Sequence, residues 1–103
     1  MADFEVQLTT LVNTWRAAVP GVGILLVAPA RTNGVATVPL IQFRDAMYRV
    51  ARAKGCEFFS LYDDFGTWAE MNTQGAFDDN FHPGYVGSTA FAGRVATLFL
   101  NDR

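Results

Sequence analysis

Apolar residues recur at helical spacing near the start of the chain: Leu8, Leu11, Val12, Trp15, Ala18 and Val19 share one face, while Gln7, Thr10, Asn13 and Arg16 take the other. This spacing predicts a helix over residues 4–18, closed by Pro20-Gly21. The next segment, Val22 to Ala28, is apolar without alternation, the pattern of a strand buried on both faces of a parallel sheet. A loop over 29–37 follows, punctuated by Asn33-Gly34. Leu40, Phe43, Met47, Val50 and Ala51 restore the helical period and predict a second helix over 38–54, with Pro39 in its first turn and Gly55 at its C-terminal cap. Residues 56–62 (CEFFSLY) read as a second buried strand. A long loop over 63–77 is predicted, with one helical turn around 67–71, and a last helix over 85–100 carries Ala92, Val95, Ala96 and Phe99 on one stripe.

The order α-β-α-β-α, with strands separated by helices, predicts an α/β fold: parallel strands joined by right-handed crossovers in a partial three-layer α/β/α arrangement. Two strands make an incomplete sheet, since independent stability generally needs three or more. The pattern is therefore that of part of a larger α/β domain, its remaining strands coming from a further segment or a partner chain.

Composition narrows the class. The 103 residues suit one domain, and with 50% hydrophobic and 17% charged residues the chain is a packed globule rather than a disordered one. Nine Phe, three Tyr and two Trp exceed what one small core takes up, so some aromatic surface is expected to face a groove or a partner. A net charge of -2 and scattered basic residues argue against nucleic-acid binding. No apolar run is long enough for a membrane span, the first ten residues carry no basic leader region, and the single Cys56 has no partner for a disulfide within the chain.

Candidate chemistry centres on the only histidine, His82, within Asp79-Asn80-Phe81-His82-Pro83. An acid three residues before a histidine can fold back onto one imidazole nitrogen and leave the other facing outward, the acid and base of a catalytic triad. The competing reading is a loop histidine that caps the last helix, with Asp79 as a turn residue and Asp78 as a rival orienter. No nucleophile accompanies the pair: Ser60 falls within a predicted buried strand, Ser88 in the first turns of the last helix, and Cys56 where a small apolar side chain is needed. Cys56 paired with His82 is the one thiol alternative. Asp63, Asp64, Asp78 and Asp79 have no recognised metal-ligand spacing, and Gly21-x-Gly23 precedes a strand instead of following one, so neither a metal nor a nucleotide cofactor is expected. Arg31, Thr32, Asn33, Trp68 and Phe77 follow the C-terminal ends of the predicted strands, where open parallel sheets bind ligands. Asn33, Trp68 and Phe77 are the candidate substrate contacts, with packing as the competing role for the two aromatics.

The strand LLVAP, the helix FRDAMYRVARAKG, the strand FFSLYDDF and the block DNFHPxxxG with its alanine-containing helix together resemble the C-terminal half of the SGNH hydrolases, the GDSL esterases and lipases. The resemblance runs over essentially the whole chain and implies a flavodoxin-like fold, with Asp79 and His82 in the positions of the triad acid and base. Pro83 and Gly87 match the rest of the block. The family's Gly-Asp-Ser nucleophile block, its oxyanion glycine block and its Gly-x-Asn-Asp block have no counterpart in the sequence. The resemblance thus implies a C-terminal portion of an esterase or deacetylase, acting on an ester or acetylated carbohydrate once completed and inactive by itself. The alternative is a non-catalytic interaction or structural module of a larger assembly, such as a phage tail component.

Overall fold

The computed structural model describes residues 1–34 and 38–101. Its elements run α1 (Ala2–Ala18), β1 (Leu25–Ala28), α2 (Leu40–Lys54), β2 (Glu57–Ser60), α3 (Leu61–Asp64), α4 (Trp68–Asn72) and α5 (Tyr85–Asn101). β1 and β2 pair in parallel, Leu25 opposite Glu57 through Ala28 opposite Ser60, so the α/β class and the parallel crossover through α2 are as expected. Residues 35–37, the end of the loop predicted over 29–37, lie outside the described residues.

Side-chain alternation along the strands sorts the core into two clusters. Leu26 and Phe58 face α1 and α2, where Val12, Val50 and Ala51 are buried against them. Tyr48 of α2 meets the Phe58 ring edge-on, with 5.4 Å between centroids. Phe59, one residue on, points to the opposite face, where the Arg94 guanidinium of α5 lies 5.8 Å from its ring. A second cluster of Ala30, Met71, Ala76, Phe77 and Phe91 ties α4, α5 and the loop after β1 together. Helices thus lie on both faces of a sheet that has two strands among the described residues, a partial α/β/α arrangement.

Both strands are shorter than their apolar runs. Val22 and Gly23 belong to the turn out of α1, where Gly21 has φ of +82° and the Val22 N–H donates to the Val19 carbonyl. β2 stops at Ser60 because its hydroxyl accepts from the Asp63 N–H at 3.2 Å and starts α3, which takes up Leu61 and Tyr62. Burial of β1 on two faces is only partly realised: Leu26 and Ala28 are buried, while Leu25 and Val27 are half-buried. The helical turn expected near 67–71 is α4, closed at its start by a capping box between Thr67 and Glu70. Among the described residues no helix is long and apolar enough to cross a membrane.

Candidate active site

The segment between α4 and α5 doubles back on itself. Phe77 and Pro83 form an isolated antiparallel bridge, the Asp78 N–H donates to the His82 carbonyl at 2.9 Å, and the Gly84 N–H donates to the Ala76 carbonyl at 2.9 Å. Gly87 sets the depth of this loop on α5, since a Cβ there would run into the Ala76 carbonyl oxygen. Residues 79–82 are left as a tight turn whose side chains project outward.

Asp79 organises that turn. Its Oδ1 accepts from the backbone N–H groups of Phe81 and His82, each at 2.7 Å, and its Oδ2 lies 2.8 Å from His82 Nδ1. The Phe81 amide first, then the imidazole and the His82 amide, favour the ionised form and hold the Asp79 carboxyl at about 2. An ionised carboxylate only accepts, so Nδ1 carries a proton, and in the neutral imidazole this tautomer leaves the lone pair on Nε2. The His82 side chain is 76% exposed, which leaves that lone pair open to an incoming hydroxyl. The neighbouring Asp78 does not share this role: its carboxylate lies against Gly84.

Asn33 and Trp68 brace the turn from the far side. The Asn33 N–H donates to the Asn80 carbonyl at 2.8 Å, its amide nitrogen reaches Asn80 Oδ1 at 3.3 Å, and the Trp68 indole N–H donates to the Asp79 carbonyl at 3.2 Å. Both residues also line a groove of about 560 Å³ with Arg31, Thr32, Tyr62 and Thr67. Phe77 does not line it. At 7% exposure it is packed between Trp68 and Phe91, which makes its position one of packing beneath the site. Arg31 and Thr32 line the groove as their place after the first strand suggests, whereas the bracing by the indole N–H and the place of Tyr62 carry no local sequence signal.

The other candidates lie elsewhere. Ser60 is buried and occupied in capping α3. Cys56 precedes β2 and contacts the Arg16 guanidinium at 3.7 Å. Cys56 enters β2, whereas Asn33 and Trp68, which hold the Asp79–His82 turn, follow the far ends of the strands, so a strand length on the order of 13 Å, four residues at ~3.3 Å each, lies between thiol and turn and argues against the thiol alternative. Asp63 and Asp64 are bound by Arg44 and Arg94 in two-point ion pairs of 2.7–3.0 Å, and the described residues hold no cluster of metal-ligating side chains.

No family model and no curated protein matches the sequence. Among solved structures, a peptidoglycan O-acetylesterase is similar with a TM-score of 0.84 and 23% identity. The likeness covers 97% of this chain and 32% of that one, so the chain spans about a third of the esterase whose fold it shares.

Proposed function

We propose that this chain is a C-terminal portion of an SGNH-type esterase or deacetylase and that Asp79 and His82 are its triad acid and base. The observation that carries the reading is the 2.8 Å contact between Asp79 Oδ2 and His82 Nδ1, with the carboxylate fixed by two backbone amides and the distal imidazole nitrogen open. The shared fold supports it, and the neighbour's activity suggests O-acetylated glycan as the substrate class.

In the completed site His82 Nε2 takes the proton of a serine hydroxyl as the oxygen attacks the ester carbonyl, and returns it to the departing alkoxide. Asp79 holds the tautomer and stabilises the imidazolium. Water then repeats the sequence on the acyl-serine and releases the acid. The serine and the donors for the oxyanion come from outside these residues, and the loss of one such donor alone lowers rates ~10²–10³-fold, so the chain by itself is inactive.

An apolar groove of about 380 Å³ supports an incomplete sheet. Its walls come from Leu8, Leu11, Val12 and Trp15 of α1 and from residues 22–26, with no residue of β2. β1 leaves its second edge unpaired beside this groove among the described residues, a position suited to a further strand.

The test is twofold. The adjoining coding sequence should contain a Gly-Asp-Ser block, and its absence there sinks the split-enzyme reading. In the assembled protein, acetate release from O-acetylated glycan should fall at least ~10³-fold in His82→Ala; an unchanged rate leaves the non-catalytic module as the reading.

A further inference from the structure

The groove beside the Asp79–His82 turn contains Arg31, to which no carboxylate of the described residues hydrogen-bonds. Arg31 is held in place by two contacts to one residue: its Nε donates to the Tyr62 carbonyl at 3.1 Å, and its guanidinium carbon lies 4.3 Å from the centre of the Tyr62 ring. Those contacts use the inner edge and one face of the guanidinium, and no described residue hydrogen-bonds to its terminal Nη1 and Nη2. The two nearby carboxylates are engaged elsewhere, Asp63 with Arg44 and Glu70 in the capping box with Thr67. A half-buried arginine fixed in this way presents the two-point donor geometry that matches a carboxylate.

The rest of the groove suits a sugar. Trp68 and Tyr62 supply aromatic surface, Pro39 and Leu40 an apolar wall, and Thr32 and Asn33 polar groups, within a volume typical of small-molecule sites. The same Trp68 and Asn33 hold the backbone of the turn that carries His82. A ligand seated here therefore shares a wall with the proposed base.

We infer that this groove is a subsite for a carboxylate-bearing saccharide, with Arg31 receiving the carboxylate and Trp68 the sugar ring. The inference rests on the reading of the site as one for acetylated glycan and adds which glycan it selects: an acidic one. Neutral acetylated polysaccharides would leave the Arg31 fork unpaired.

The experiment is a titration of the assembled protein, ¹⁵N-labelled in this chain, with a muramic-acid-containing disaccharide and, separately, with neutral diacetylchitobiose, read at the Trp68 indole resonance. The acidic disaccharide is expected to bind about tenfold more tightly, the worth of one charge-assisted two-point contact. Arg31→Gln should bring its affinity down to that of the neutral sugar, whose own binding stays unchanged, and Arg31→Lys should restore the preference only in part. Equal affinity for the two sugars, shifts confined to residues outside the groove, or a preference that survives Arg31→Gln overturns the inference. Binding is read without hydrolysis. Selective binding with no acetate release from the assembled protein would therefore count against the catalytic reading alone, and release without selectivity against the subsite alone.

Discussion

The indole N–H of Trp68 donates to the main-chain carbonyl of Asp79 at 3.2 Å, so α4 holds the backbone of the turn in which the acid meets the histidine. The ring also packs against Phe77, which separates two contributions that a single substitution can resolve. Trp68→Phe keeps aromatic packing and removes the donor. Expected are a loss of about 1 kcal/mol or less in urea unfolding and faster hydrogen exchange at the Phe81 and His82 amides, which the Asp79 carboxylate accepts. Unchanged exchange at those two amides would show that the turn holds itself.

Two glycines of α5 should respond to the same substitution with opposite signs. A Cβ at Gly87 meets the Ala76 carbonyl oxygen, which also accepts from Gly84, so Gly87→Ala must push the Asp79–His82 loop away from α5. The expected cost is ~1–3 kcal/mol. Nothing lies within 4 Å of a Cβ at Gly93, and there alanine gains ~0.5–1 kcal/mol from helix propensity. Thermal unfolding of the two variants measures both, and destabilisation by both would mean that helix packing, not the loop contact, decides.

Much of this arrangement is legible along the chain. The helical period of α1 and α2, the apolar runs that contain β1 and β2, and the three-residue spacing of Asp79 and His82 are local signals, and each corresponds to an element or contact in the structure. What is not legible depends on partners distant in sequence. Tyr62 reads as strand because its neighbours are apolar, but the Ser60 hydroxyl diverts the chain into α3. Phe77 reads as a loop residue with substrate contact and packing both open, and its burial against Phe91, fourteen positions later in the sequence, gives it the packing role. The seat of Arg31 over Tyr62 joins residues 31 apart, and periodicity carries no record of such a pair.

Acid should weaken the fold through specific carboxylates. Asp79 is held at about 2 by the Phe81 amide, His82 and its amide, and Asp63 at about 2 by Arg44 and Ser60. Both folded values lie below the unfolded one of ~3.9, so the unfolded chain binds more protons as pH falls. Their stabilisation is fully present above about pH 4 and is lost between about 4 and 2. Urea midpoints measured across this window should fall, and the difference between wild type and Asp79→Asn should shrink toward zero at its lower end. A difference that stays constant down to pH 2 would mean that Asp79 contributes by shape and not by charge.

The outer face of α1 gives the most direct test of the incomplete sheet. Leu11, Trp15 and Val19 are 52, 57 and 49% exposed on one face of the helix, and Leu11 and Trp15 line the apolar groove beside the edge of β1 that is unpaired among the described residues. Scattered apolar residues are ordinary on protein surfaces, but a contiguous set next to a free strand edge is a site for association. The isolated chain should bind an apolar dye and self-associate at micromolar concentration in sedimentation experiments. Leu11→Lys with Trp15→Lys should suppress both while changing stability by no more than ~0.5 kcal/mol per site, because these side chains are half or more in solvent. The same pair should abolish assembly with a polypeptide that supplies the remaining strands. A wild-type chain that sediments as a single monomer and leaves the dye dark would show that two strands and this face are sufficient alone, and the proposed completion of the sheet would then have no driving force.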